Sequence, residues 1–224
     1  VQLEVITTAD GSSSIFHHGL NETYHSRHGA MRESKHVFIQ HGLLDSLGSS
    51  APTLQVLEVG FGTGLNALLT WQAAREAVAG IFYTALETYP LPRSIWQALS
   101  YGADTQMASE FARLHEARWN ETVVLHPRFR LHKVETALQQ FETDQKFDVI
   151  YFDAFAPARQ PELWTLDALK RTTDLLKPAG VWVTYCAKGQ LKRDLRQLGL
   201  AVETLPGPPG KREMVRGRLP HGNF

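Results

Sequence analysis

Three carboxylates and one run of glycines carry the chemistry open to this sequence. In Glu58-Val-Gly60-Phe-Gly62-Thr-Gly64-Leu-Asn66 the glycines alternate directly after an apolar run and directly before a helical stretch. Glycine lets the backbone turn sharply and approach a ligand closely, so this loop reads as a cradle. A dinucleotide fingerprint needs its third glycine where Leu65 stands, so G-x-G-x-x-G is not met; the spacing is G-x-G-x-G with Glu58 two residues ahead. Glu87 closes the next apolar run, Ile81 to Leu86, 23 residues beyond Gly64. A carboxylate there can accept both hydroxyls of an adenosine ribose. Asp153 follows the run Phe147 to Phe152 and opens Asp153-Ala-Phe-Ala-Pro157-Ala-Arg-Gln-Pro161-Glu-Leu-Trp164. Ligands of open α/β sheets bind beyond the carboxyl ends of the strands, which puts Asp153 in the reaction zone. The plainer alternatives are a tight turn in some other doubly wound protein with Glu87 solvated, and an Asp153 that only caps the next turn. Phe155 and Trp164 fit either a core or a substrate platform.

The elements that must hold these groups alternate. Short apolar runs at 54–59, 81–86, 129–131, 147–152 and 181–185 are separated by helix candidates at 65–79, 91–100, 104–119, 134–142, 161–176 and 188–198. Such alternation predicts parallel strands covered by crossover helices. Pro178-Ala-Gly180 reads as the stop before the fifth strand. Residues 200–205 and 212–216 supply a sixth and seventh strand joined by the loop Pro206-Gly-Pro-Pro-Gly210, with no helix between them, so as neighbours they pair antiparallel. Ahead of this domain, at 53–224, residues 1–52 form an appendage. It holds two short strands around Asp10-Gly11, then helical spacing over 24–44, and it ends at Gly48-Ser-Ser-Ala-Pro52.

The chain of 224 residues suits one catalytic domain with a small appendage. Lys plus Arg number 23, as do Asp plus Glu, so any polyanion site must come from local clustering. The single Cys186 cannot form an internal disulfide, and no apolar leader or long apolar span occurs, which predicts a cytoplasmic protein without membrane contact. The chain opens on Val1 rather than Met, so a short preceding segment is expected. Six of ten histidines fall between His17 and His41, but His17-His18, His25 and His28 lack a regular ligand spacing, so no metal is expected.

The glycine spacing resembles motif I of class I methyltransferases, in which the loop packs on the methionine part of S-adenosylmethionine. Taken with Asp153-Ala-Phe-Ala-Pro-Ala, Pro161-Glu-Leu-Trp-Thr165, Gly210-Lys-Arg-Glu-Met214, Tyr24-His-Ser26 and Glu33-Ser-Lys-His-Val-Phe38, it resembles the methyltransferase domain of the tRNA 5-methylaminomethyl-2-thiouridine biosynthesis (MnmC) family over about 24–216. The resemblance implies a Rossmann-like, seven-stranded, mostly parallel sheet with an antiparallel last strand. It implies methyl transfer from S-adenosylmethionine to the aminomethyl nitrogen of a modified wobble uridine in the tRNA anticodon stem-loop. Fused members carry an FAD oxidoreductase behind this domain; here the sequence stops at Phe224, so the expectation is a stand-alone form without FAD and with no obligate protein partner.

By the same resemblance Tyr24, Ser26, Glu33, Glu58, Gly60, Gly62, Gly64, Asn66, Glu87, Glu135 and Asp153 line the cofactor site. Asp153 handles the amine proton, and Phe155, Pro157, Lys211, Arg212 and Glu213 face the substrate. One departure concerns the adenine end: where the family has a Gly-Asp pair this sequence has Lys133 and Val134, so Glu135 either takes over that contact or leaves it unmade. For tRNA, residues 188–218 hold Lys188, Lys192, Arg193, Arg196, Lys211, Arg212, Arg216 and Arg218 against Asp194, Glu203 and Glu213. That clustering suits phosphate contacts, or a plain solvated face. The rival functions are a class I methyltransferase on another RNA or a small amine, an aminopropyl transferase of the same fold, and an RNA-binding module without catalysis.

Overall fold

The computed structural model describes residues 2–48, 51–102 and 104–221. Its centre is an eight-stranded sheet. In chain order the strands are β4 (Thr53–Val59), β5 (Gly80–Glu87), β6 (Thr122–His126), β7 (Phe129–Glu135), β8 (Phe147–Phe152), β9 (Leu176–Thr184), β10 (Ala201–Pro206) and β11 (Glu213–Arg218). In space the order is β10-β11-β9-β8-β4-β5-β7-β6. The five strands from β9 to β7 run parallel, and β11 runs antiparallel to both β9 and β10. The chain order reverses between β4 and β8, and an open α/β sheet binds its ligand at such a switch point.

Both faces are covered. On one face α3 (Leu65–Glu76), the single turn α4 (Arg93–Trp96) and α5 (Thr105–Glu116) pack with the N-terminal segment, in a cluster that includes Leu68, Trp71, Trp96, Leu114, Tyr83 and Tyr151. On the other face α6 (Leu166–Thr173) and α7 (Gly189–Gln197) bury Leu169, Leu191 and Leu195 against Phe152 and Trp182. The starts of α5 and α6 are set by side-chain caps, which supply acceptors for otherwise unpaired amides. Asp104 accepts from the Gln106 N–H at 2.8 Å, and Thr165 from the Ala168 N–H at 3.2 Å.

The N-terminal residues form a small antiparallel sheet of β1 (Leu3–Thr7), β2 (Ser13–His17) and β3 (Glu22–Thr23). A continuous helical stretch follows: α1 (Ala30–Ser34), wide π turns over Lys35–Leu43, and α2 (Leu44–Leu47). Ile15, Val37, Phe38 and Leu43 share one hydrophobic cluster with Val56, Tyr83 and Val183 of the large sheet. The appendage is therefore bonded into the main core. A side chain at Gly42 would lie 2.9 Å from Val183, which is how closely this helical stretch lies on the sheet.

Three expectations need correction. The sheet has eight strands rather than seven, because the β-branched run at Thr122–His126 forms an antiparallel hairpin with β7. No helix covers 134–142: the ladder with β5 continues to Glu87 opposite Glu135, and only a short turn at Leu138–Gln140 follows. Pro178-Ala-Gly180 does not precede β9 but lies inside it. There Ala179 takes a φ of 64° and the register to β8 shifts, so the proline is accommodated as an irregularity in the strand.

Candidate active site

Strand register places the sequence-predicted groups on one edge. Val59 pairs with Leu86 and with Phe152, and Glu87 pairs with Glu135, so Gly60, Glu87, Asp153 and Glu135 all emerge at the same end of adjacent strands. Gly60 and Phe61 donate to the Leu86 carbonyl at 3.0 and 2.9 Å, which folds the loop over β5. Gly60 has a φ of 93°, and a Cβ there would sit 2.7 Å from the Asp153 carbonyl. Only glycine lets the two loops touch. The Gly62 N–H donates to Glu87 Oε2 at 2.9 Å and the Tyr89 N–H to Oε1 at 2.9 Å, so the Glu87 carboxylate is fixed from both sides. Gly64 caps α3.

Asn66, in the first turn of α3, joins two acids. Its amide nitrogen donates to Glu58 Oε1 at 2.9 Å and to Asp153 Oδ2 at 2.8 Å. Glu58 is fully buried, and burial first, then the nearby Asp153 charge, pushes its carboxyl well above the usual range. Asp153 still meets some solvent but is packed in densely. Desolvation, then the Glu33 charge, raises its carboxyl to about 7, against the pull of Asn66 and Lys211. A carboxyl poised there can both take and release a proton near neutral pH.

The N-terminal segment closes over this edge. Tyr24 lies against Gly62 and meets the Phe155 ring edge-on at 4.9 Å between centroids. Burial, then the Glu87 charge, raises its phenol. Glu33, buried, accepts from the Ser26 N–H at 2.9 Å and from Lys211 Nζ at 2.6 Å. Lys211 comes from the β10–β11 connection, whose Gly210 packs on His28. Its ammonium stands 3.8 Å over the Tyr185 ring, and the Tyr185 hydroxyl donates to the Ala154 carbonyl at 2.8 Å.

The remaining substrate candidates are less converged. Phe155 belongs to the site edge. Pro157 is half-buried on the same loop, Arg212 is exposed, and the Glu213 carboxylate takes Lys192 of α7 at 2.9 Å, which lowers its acidity range.

Sequence reasoning assigned no role at the site to His25, His115, Lys133 and Tyr185. His25 Nε2 bonds Thr63 Oγ1 at 2.7 Å, and His115 Nε2 bonds the Thr63 carbonyl at 3.0 Å, so the glycine loop is held from two sides. Burial lowers both imidazoles to about 4, so both are neutral. Lys133 is buried with its ammonium 4.7 Å from the Trp119 ring centroid, donating to the His115 carbonyl at 2.9 Å; burial lowers it to about 8. Lys133 thus supports the glycine loop from below. Glu135, exposed at the strand end beside Glu87, is the side chain left at the predicted adenine end. For Tyr185 a signal existed: the strand-end rule that selects Glu87 and Asp153 also selects this residue, directly after β9.

A sequence model of the S-adenosyl-L-methionine-dependent methyltransferases matches residues 104–220, more than half of the chain. The chain belongs to this family. Among curated relatives, the tRNA 5-methylaminomethyl-2-thiouridine biosynthesis bifunctional protein MnmC of Pseudomonas syringae pv. tomato is 30% identical over 215 residues, covering 89% of this chain and 32% of the relative. The protein of the same name from Nitrosospira multiformis is 30% identical over 213 residues, covering 89% and 34%. The chain thus spans about a third of the length of these relatives. The crystal structure of MNMC2 from Aquifex aeolicus aligns with a TM-score of 0.83 at 26% identity, over 100% of this chain and 73% of that one. Spermidine synthase from Thermotoga maritima, at a TM-score of 0.55 and 13% identity over 99% and 80% of the two chains, shares the fold.

The residues fit the methyltransferase cofactor. Asn66 Oδ1 is buried without a hydrogen-bond partner beside the glycine loop, and a polar atom left in that state calls for a ligand or water. In this methyltransferase two open grooves lie elsewhere. One of about 500 Å³ is lined by Leu138, Phe141, Glu142, Thr143, Asp144, Arg171, Asp174 and Leu175, and contains none of the candidate groups.

Of the basic residues at 188–218, Lys192, Lys211, Arg216 and Arg218 are paired with Glu213, Glu33, Asp45 and Glu203. Lys188, Arg193, Arg196 and Arg212 are exposed and have no acidic partner among the described residues. Also among the described residues, no three His, Cys, Asp or Glu cluster as metal ligands, and no helix is long and apolar enough to cross a membrane.

Proposed function

We propose that this methyltransferase N-methylates the aminomethyl group on a modified wobble uridine of tRNA, a reaction that suits the tRNA 5-methylaminomethyl-2-thiouridine biosynthesis for which its relatives are named. The observation that carries this reading is Asp153: a carboxyl raised to about 7, tied by Asn66 to the cofactor loop and packed beside Glu33 and Lys211. A methyltransferase acting on oxygen of an acidic phenol or on carbon has less need of such a group. An alkylamine is largely protonated at neutral pH and has no lone pair until a base takes the proton.

Tyr24, Ser26 and the loop 60–64 hold the cofactor, Glu33 stands between cofactor and incoming amine, Glu87 takes the ribose hydroxyls and Glu135 the adenine end; residues 1–52 act as the flap and 53–224 as the catalytic domain. When bound, S-adenosylmethionine supplies an electrophilic methyl on a sulfonium leaving group. The chain's own work is alignment, exclusion of water and one proton. Asp153 Oδ1, which accepts no hydrogen bond from the described residues, takes the proton from the substrate ammonium. With the proton gone, the nitrogen lone pair would be free to accept the methyl group that the bound cofactor would supply, leaving a secondary ammonium and S-adenosylhomocysteine as products. Phe155 and Pro157 border the path of the base, and the unpaired cations Lys188, Arg193, Arg196 and Arg212 meet phosphates of the anticodon stem-loop.

The test is incubation with labelled S-adenosylmethionine and tRNA from cells lacking the gene, followed by digestion. Label on the wobble nucleoside is expected; label on another nucleoside, or on a small amine in preference to tRNA, would replace this reading with a different class I methyltransferase.

A further inference from the structure

Resting on the reading above, we propose that Glu33 and the face of Tyr185 form a subsite for an alkylammonium group, and that Lys211 is a resident placeholder which the incoming cation displaces.

The geometry is that of a cation cage with one removable wall. Glu33 is fixed: its side chain is 6% exposed and one oxygen is held by the Ser26 N–H. Tyr185 is fixed too, because its hydroxyl is spent on the Ala154 carbonyl and its ring packs against the core, with one face turned to the Lys211 ammonium. An ammonium between a carboxylate oxygen at 2.6 Å and an aromatic face at 3.8 Å gains both Coulomb and quadrupole attraction. Here that ammonium is Lys211, on a flexible stem, 32% exposed, from a loop whose backbone is anchored independently by Lys211 N–H to Pro208 O and Gly207 N–H to Arg212 O. The side chain can therefore swing out while its loop stays. Ala154 adjoins Asp153, so a cation seated in the cage lies beside the proton acceptor.

Two cations have this chemistry: the substrate's aminomethyl group and the α-ammonium of the cofactor's methionine part. The direct test needs no turnover. Lys211→Ala lowers Tm by emptying the cage, and ethylammonium chloride, compared with equal sodium chloride, raises it again by about 2–4 °C at roughly fivefold above its Kd. Wild type does not respond, nor does Lys211→Ala with Tyr185→Leu, whereas Lys211→Ala with Tyr185→Phe does.

In turnover with an aminomethyl-uridine stem-loop, Tyr185→Leu raises the acceptor KM about tenfold with little change in kcat, and Tyr185→Phe, which keeps the aromatic face but loses the bond to the Ala154 carbonyl, raises it less. If affinity for S-adenosylhomocysteine falls instead while the acceptor KM holds, the cage takes the cofactor's ammonium. An absence of any ethylammonium-specific rise, or equal damage from Phe and Leu at Tyr185, overturns the proposal. Wild-type failure to methylate the stem-loop would sink the tRNA reading alone, since the thermal rescue does not depend on it.

Discussion

The two halves of the candidate site are built in different ways. The donor half, Gly60 to Gly64 with Glu87, is a backbone construction in which one turn and one neighbouring strand end lock together through N–H groups at 2.9 Å. The acceptor half is a side-chain construction drawn from four distant segments: Glu33, Asn66, Asp153 and Lys211, with the Glu33–Lys211 contact closing over 178 residues of chain. A backbone cradle binds a constant partner with little dependence on protonation. An assembly of buried carboxyls in one another's field is tuned, and small changes in it move a proton affinity. The halves should therefore separate under mutation.

The sharpest division is Asp153→Asn. It keeps an acceptor for the Asn66 amide but removes the proton acceptor, so kcat should fall about 10²- to 10³-fold while cofactor affinity, by equilibrium titration, moves less than about threefold. Comparable losses in both would show one indivisible site. Glu87→Ala is the mirror image. It frees the Gly62 and Tyr89 N–H groups and removes the ribose contact, and should weaken S-adenosylhomocysteine binding about 10- to 100-fold with kcat at saturation nearly intact.

The pH dependence probes the acceptor half alone. Because burial and Glu33 raise the Asp153 carboxyl to about 7, the acceptor form is lost as pH falls, and kcat/KM should drop about tenfold per pH unit below 7. Removing the Glu33 charge takes away one of the influences that raise it, so Glu33→Gln should move the inflection to lower pH. An unmoved inflection would detach Glu33 from Asp153.

The same division explains what the sequence disclosed. The donor half was legible because its parts are adjacent in sequence or follow one rule: the glycine spacing forces the turn, and the strand-end rule that finds Glu87 also finds Asp153 of the acceptor half. The parallel order of the central strands followed from the alternation of apolar runs and helices. What stayed hidden depends on distant pairing. Glu33 and Lys211 read as a flap acid and an RNA-facing cation, and only folding shows that they neutralise each other. The extra strand Thr122–His126 sits beside a helix candidate whose apolar spacing masked it, and residues 134–142 look helical although the β5 ladder holds them extended as far as Glu135.

That lesson applies to the basic cluster, where the smallest effect is expected. Eight cations within 188–218 suggest a broad phosphate surface, but four are spent on Glu33, Asp45, Glu203 and Glu213. An ion-paired Arg releases few counterions when RNA arrives, because its neutralising partner is already part of the protein. An unpaired one releases nearly a full equivalent. Arg193→Ala and Arg196→Ala on α7 should therefore each reduce the salt slope of tRNA binding by less than about 1, with affinity falling only a few-fold at moderate salt and kcat unchanged. Arg216→Ala should leave that slope unaltered and instead cost stability, since Arg216 holds both Asp45 and Glu203 across the N-terminal helical stretch and β10. A slope that responds to Arg216 as strongly as to Arg193 would mean that the paired residues let go of their acids to bind RNA, as Lys211 is proposed to let go of Glu33.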